Sequence, residues 1–119
     1  MSILLLLISG CFEGFMDVLS FHWGKFKDKH RKVNSFFWNP TLSYVNKYKD
    51  NNPKKGAKYF GSTTFLVFTT DAWHLMKWLR NVTFFSSLLF VDSITILGCL
   101  FLYGINRIGF NLVYNLIYK

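Results

Sequence analysis

The stretch ILLLLISGCFEGFMDVLSFHW, residues 3–23, decides the fold of this chain. It is long and apolar enough to cross about 30 Å of hydrocarbon as a helix, yet it contains Glu13 and Asp17. A second apolar run, residues 60–79, contains Asp71 and His74. A charge at the bilayer centre costs ~2.5–3.5 kcal/mol on insertion scales, so such residues usually face a partner, a cavity or a metal. The two runs predict a membrane protein with an internal polar site.

The composition supports a membrane protein. The chain has 119 residues, of which 51% are hydrophobic and 20% aromatic, and a mean hydropathy of +0.23. Residues 84–103 form a third apolar run, with Asp92 as its only charge. We predict an all-α fold, a small helical integral membrane protein with two or three spans in a single domain. Its predicted segments are a helix over 3–23, a basic interfacial loop over 24–60, a long helix or helical hairpin over 61–104 and an amphipathic tail over 105–119.

The segment 61–104 leaves two architectures open. Neither Gly nor Pro occurs between Ser62 and Leu97, which favours one long or bent helix, starting from a hydroxyl cap at 62–64. The alternative is a hairpin that turns near Arg80, although the residues there are poor turn formers. In a continuous helix Asp71 and Asp92 are ~31 Å apart, whereas in a hairpin they lie at the same depth.

The positive charge of the chain is concentrated in the loop 24–60. Ten of the 14 basic residues lie there, against two acidic ones, and the net charge is +8. The positive-inside tendency therefore predicts an inner-membrane protein with the loop in the cytoplasm and the N-terminus outside. Because the basic residues flank apolar segments, attraction to anionic lipid explains them better than nucleic acid, which we exclude as a partner. Lys47 and Lys49 are candidates for holding a lipid headgroup or another anion, although topology and anchoring are the simpler explanation.

Helical spacing gathers the polar residues of the first segment on one stripe. Gly10, Glu13, Gly14 and Asp17 follow at i, i+3, i+4 and i+7. The two glycines permit close approach of a neighbouring helix, and both carboxylates then face that neighbour. The sequence predicts that Gly10 and Gly14 are helix-packing positions.

A carboxylate and a histidine share a helix face in the second apolar run as well. Asp71 and His74 are spaced i, i+3, an arrangement found in carboxylate-bridged metal sites of helical bundles. Oxygen and imidazole ligands suit iron, manganese or zinc. The candidate metal ligands are Glu13, Asp17, Asp71, His74 and, if the first helix unwinds near Gly24, His22. The plainer alternative is that Asp71 and His74 bond each other or Glu13 and fix helix pairing.

The two cysteines carry little information about compartment. Cys11 and Cys99 both fall in apolar segments, where small buried hydrophobes are expected rather than a disulfide. The residues before Cys11 resemble a lipoprotein cleavage box, but they contain no basic residue, and the apolar run continues beyond them. We therefore expect residues 3–23 to remain as a membrane segment.

Two blocks of sequence resemble a recurrent pattern in small membrane proteins of bacteria and their phages. The blocks are FWNP at 37–40 with NKYK at 46–49, and GSTT at 61–64 with TDAWH at 70–74. The resemblance spans roughly residues 13–80 and implies no particular activity. It implies that the loop and the following helix act together, with Asn46, Lys47, Asp71 and His74 converging near the cytoplasmic boundary.

Three functions remain open from the sequence. The favoured one is metal binding, with metal-assisted chemistry on a lipid or another amphiphile. The second is a non-enzymatic accessory subunit, or a phage-type membrane factor, whose Gly10 and Gly14 face binds another membrane protein. The third is a path for protons or ions along the carboxylates. Whether the chain is an enzyme stays undecided, and self-association is expected in each case because a chain of this size encloses little volume.

Overall fold

The computed structural model describes residues 1–91 and 95–118, with the backbone alone at Tyr118. Within these ranges the chain is all-helical and has no strand, apart from one isolated bridge between Tyr48 and Ala57. The α-helices are α1 Ser2–Phe21, α2 Trp23–Lys29, α3 Ser35–Trp38, α4 Pro40–Ser43, α5 Ala72–Leu88 and α6 Ile96–Tyr118. Short 3-10 turns occupy Lys49–Asn51, Pro53–Lys55 and Val67–Thr69.

Helix α1 is the centre of the fold, and α5 packs against it in the antiparallel direction. Near the middle of α1, the Ser9 hydroxyl donates to the Arg80 carbonyl over 3.2 Å. Near its end, the Ser20 hydroxyl accepts from the Trp73 indole over 3.1 Å. Because α5 is met in reverse order along α1, the two helices form an up-and-down pair.

Helix α6 packs against α1 in the parallel direction. The Asn106 amide donates to the Leu6 carbonyl over 3.4 Å, and the His22 imidazole, just after α1, lies 2.5 Å from the Tyr114 hydroxyl. The N-terminal ends of α1 and α6 therefore lie side by side, and so do their C-terminal ends. The N-terminus of α1, the C-terminal end of α5 and the N-terminal end of α6 are at one end of the bundle. Residues 22–71 and the C-terminal end of α6 are at the other.

Three glycines allow α1 and α6 to touch through their backbones. A Cβ atom added to Gly10 would lie 1.9 Å from the Asn106 carbonyl oxygen. One added to Gly109 would lie 2.1 Å from the Leu7 carbonyl oxygen, and Gly14 is similarly close to α6. The neighbour that Gly10 and Gly14 meet is thus α6 of the same chain, so this face is not open to another protein.

The loop after α1 folds against the base of the bundle. A buried cluster of Val18, Leu19, Phe26 and Ala72 joins α1, α2 and the start of α5. The Trp38 ring packs edge-on against Phe15, with 5.8 Å between centroids.

The aromatic residues Phe36 and Trp38 of this loop lie in two different environments. Phe36 is 64% exposed. Trp38 instead contributes to the protein interior.

The segment boundaries differ from the sequence prediction at both ends of the first loop. Helix α1 ends at Phe21 because His22 leaves helical geometry, with φ −131° and ψ 28°. The hydroxyl cap expected at 62–64 starts no helix. The buried Ser62 hydroxyl instead donates to the Lys47 carbonyl over 2.8 Å, and α5 begins ten residues later, capped by Asp71.

The predicted long helix or hairpin over 61–104 is wrong in its boundaries. Arg80 and Asn81 lie in the middle of α5, so the chain does not turn there. The break between helices follows Leu88, and Asp92 lies outside the described residues. Helix α6 continues without interruption through residues 104 and 105, so the predicted amphipathic tail is its second half. The glycines in this part of α6 do not end the helix, because α1 packs along it.

Two of the helices are long and apolar enough to cross a membrane. They are α1 over Ser2–Phe21, with a mean hydropathy of 1.8, and α6 over Ile96–Ile117, with 1.5. At 1.5 Å per residue their lengths are about 30 and 33 Å, which match a hydrocarbon core. Helix α5 is shorter and carries Lys77 and Arg80.

Candidate functional site

Polar residues meet at the middle of the three long helices. Glu13 on α1, Arg80 on α5 and Arg107 on α6 each lie close to the midpoint of their helix. We call them, together with their polar neighbours, the polar layer. Its members are Ser9, Glu13, Arg80, Asn81, Asn106 and Arg107.

An ion pair joins α1 to α6 within the polar layer. An Arg107 guanidinium nitrogen lies 2.5 Å from a Glu13 carboxylate oxygen. The same guanidinium donates to the Asn106 side-chain oxygen over 3.2 Å and lies over the Phe110 ring, 4.6 Å from its centroid. These contacts hold Arg107 in place, because a planar guanidinium can stack and donate at once.

Arg80 has no carboxylate partner in residues 1–91 and 95–118. Its Nε and Nη2 both donate to the Asn81 side-chain oxygen, over 3.2 and 2.8 Å. The polar layer as defined therefore holds two guanidinium groups and one carboxylate, and among the described residues Arg80 forms no ion pair. A cation in an apolar bundle favours an anion nearby, because the interaction is screened little there.

Arg80 lines a cavity between the helices. This polar cavity has a volume of about 280 Å³ and is lined by Ser9, Glu13, Arg80, Asn81, Phe84, Phe85 and Asn106. A second, apolar cavity of about 220 Å³ is lined by Leu6, Phe84, Leu88, Cys99, Leu102, Tyr103 and Asn106. Because the two share Phe84 and Asn106, they lie side by side and form one cleft between α5 and α6, with α1 as its floor. The polar cavity contributes charged and polar side chains to the cleft, and the second cavity contributes mainly apolar ones.

Asp71 and His74 form a second polar centre, at the start of α5. One Asp71 carboxylate oxygen accepts from the His74 backbone N–H over 2.9 Å, and the other lies 2.7 Å from the His74 Nδ1. Asp71 is 1% exposed. Asp71 caps the helix through its bond from the His74 backbone N–H, and the His74 side chain contacts the other oxygen of the same carboxylate.

The five predicted metal ligands, all among the described residues, do not form a single cluster. Glu13 pairs with Arg107, Asp71 with His74, and His22 lies against Tyr114. Asp17 is half-buried one turn from Glu13 and does not line the polar cavity. In the described part of the chain no three His, Cys, Asp or Glu residues are grouped as metal ligands would be. The site for iron, manganese or zinc stays a prediction.

The loop residues expected near Asp71 are placed by backbone contacts. The Asn46 side-chain amide donates to the carbonyls of Phe36, over 2.5 Å, and Thr70, over 3.2 Å, which links the loop to the start of α5. The Lys47 ammonium lies 5.4 Å from the centroid of the Tyr48 ring. Lys49 begins the first 3-10 turn. Anion binding by Lys47 and Lys49 stays a prediction.

Comparison with protein-family models, with curated proteins and with solved structures finds no match to this chain. The fold and the polar layer define a small helical protein with two helices able to cross a membrane. Its function has to be argued from the geometry of that layer.

The sequence analysis missed Arg80, Asn106 and Arg107 as site residues. The sequence pattern predicts Arg80 at a turn or near a membrane boundary, and it places the other two residues in the amphipathic tail. One signal was present. Residues 96–117 contain a single charge, at Arg107, close to the centre of an apolar run, which is the same pattern that identified Glu13.

Proposed function

We propose that this chain is a cell-membrane protein that crosses the bilayer three times, with its N-terminus outside. Helices α1 and α6 supply two crossings and run in the same direction. The chain must return between two parallel crossings, and α5 is the antiparallel helix that joins them. Its 17 residues span about 26 Å, which suffices for a slightly thinned bilayer.

The charges agree with this orientation. The ten basic residues of the loop 24–60 lie at the end of the bundle that holds the C-terminal end of α6. Positive-inside orientation places that end in the cytoplasm. Exposed rings on the same segment, on Phe36, Tyr44 and Phe60, are suited to the headgroup region. The basic loop then lies on the inner surface of the membrane and is attracted by anionic lipid.

We propose further that the cleft binds an anionic amphiphile, a molecule with one acidic headgroup and an acyl chain. Arg80 carries the proposal, since it is a guanidinium near the bilayer midplane without a carboxylate partner among the described residues. An acidic group in the polar cavity neutralises it, and an acyl chain fills the neighbouring apolar cavity. This is a binding function, and it retains the amphiphile ligand class of the sequence analysis while placing the ligand at Arg80.

Binding of a fluorescent fatty acid to the purified protein tests this function. We expect Arg80→Gln to weaken binding about ten-fold or more, because a hydrogen bond to a charged group contributes about 1.5–3 kcal/mol. Lys77→Gln is the matched control. It removes the same charge one turn away on α5, where the ammonium lies 5.2 Å from the centroid of the Trp73 ring and outside the cleft.

Two results would count against the amphiphile. Equal weakening by both variants would show a general charge effect, and saturable binding unchanged in Arg80→Gln would place the ligand elsewhere. A second candidate follows from the same Arg80 charge: a helix of another membrane protein that presents an acidic side chain to the cleft. That candidate predicts a protein partner that copurifies with wild type and is lost with Arg80→Gln, without any fatty-acid binding.

A further inference from the structure

Helix α6 presents polar side chains on the face turned away from α1. Asn106, Gly109 and Phe110 contact α1. Asn111 and Asn115 lie on the opposite side and are exposed, together with Ile108. The Asn111 side chain makes no hydrogen bond to any other residue in the ranges 1–91 and 95–118, as the contacts of α6 show.

The depth of Asn111 makes this exposure costly in a bilayer. The midpoint of the apolar stretch Ile96–Ile117 falls between residues 106 and 107. Asn111 is therefore about 7 Å from the midplane, well inside a hydrocarbon half-thickness of about 15 Å. A primary amide facing acyl chains leaves two donors and one acceptor unsatisfied.

We propose that a second copy of this chain covers the Asn111 face, forming a parallel dimer through α6. An amide is complementary to itself, and a two-fold axis along the membrane normal brings Asn111 of both copies to the same depth. Two turns earlier on the same face, Gly104 has nothing within 4 Å of an added Cβ, so the backbones of two copies can approach there. Paired asparagines in a helix interface also fix register.

Energy transfer between donor-labelled and acceptor-labelled copies in phosphatidylethanolamine/phosphatidylglycerol vesicles tests the dimer. We expect self-association in wild type and a weakening of about 3- to 30-fold in Asn111→Leu, from the range measured for interhelical hydrogen bonds in membranes. Val82→Ala is the control, because it shortens an exposed apolar side chain on α5 and leaves the Asn111 face of α6 unchanged.

The proposal depends on α6 crossing the membrane, so the same samples are floated on a density gradient to check insertion. Asn111→Leu makes α6 more apolar and does not impair insertion. Inserted wild-type protein that shows no energy transfer would overturn the dimer while leaving the membrane assignment intact. Equal association of wild type and Asn111→Leu would also overturn it. Protein that fails to float would contradict the membrane assignment itself.

Discussion

Replacing Glu13 with leucine is expected to destabilise the protein by about 2.5–3.5 kcal/mol, the cost of an unpaired arginine at the centre of a membrane helix. Arg107 loses the carboxylate that lies 2.5 Å away, while its stacking on Phe110 keeps it in the polar layer. Unfolding by added SDS in lipid bicelles, followed by circular dichroism, measures the change.

A double variant distinguishes the ion pair from a general intolerance of change at Glu13. In Glu13→Leu with Arg107→Leu no charge is left unpaired, and we expect most of the lost stability to return, since replacing a whole buried ion pair by apolar residues is often neutral. Asp28→Leu serves as the single-site control, because Asp28 is an exposed carboxylate outside the polar layer. A double variant as unstable as Glu13→Leu alone would contradict this role of the pair.

Replacing Gly10 or Gly109 with alanine is expected to separate α1 from α6. The added Cβ atoms would lie 1.9 and 2.1 Å from backbone carbonyl oxygens, and a backbone cannot move aside as a flexible side chain can. Overpacking of this kind costs about 1–3 kcal/mol. Unfolding in detergent at low protein concentration, where copies are separated, measures the loss.

The direction of the stability change distinguishes close packing at a glycine from the general helix preference of alanine. Alanine is the better helix former by about 1 kcal/mol, so a glycine without close neighbours should gain stability when replaced. Gly104→Ala, in the same helix as Gly109 and with nothing within 4 Å of the added Cβ, is the matched control and should be neutral or stabilising. Stabilisation by Gly10→Ala and Gly109→Ala would contradict the close packing of α1 on α6.

Local features of the sequence predicted those parts of the fold that depend on one helix at a time. The all-helical class and the α1 span followed from apolar length, and spacing alone indicated that Gly10 and Gly14 permit close packing. The pairing of Asp71 with His74 was also weighed, because a spacing of i, i+3 brings the two together wherever the helix lies. These inferences need no knowledge of neighbouring elements.

The parts that the sequence did not predict depend on which helix meets which. Glu13 was correctly marked as needing a partner, but a carboxylate on one helix does not reveal that Arg107, 94 positions later, lies beside it. The N-cap role of Asp71 was missed for a different reason. The apolar run begins at residue 60, so the helix start was placed before the turns at 61–71, although an Asp ahead of Ala72 is itself a start signal.

The side of the membrane on which each end lies tests the central claim most directly, namely that α1 and α6 cross in the same direction with α5 between them. Single cysteines are placed in a variant with Cys11→Ala and Cys99→Ala, one at a time, and intact cells are treated with a membrane-impermeant maleimide. The chosen sites are Leu89, which is 83% exposed, Lys54 and a residue appended after the C-terminus. We predict labelling at Leu89→Cys and protection at Lys54→Cys and at the C-terminus until the cells are opened. A C-terminal cysteine labelled in intact cells, with Lys54→Cys protected, would contradict three crossings and the polar layer that depends on them.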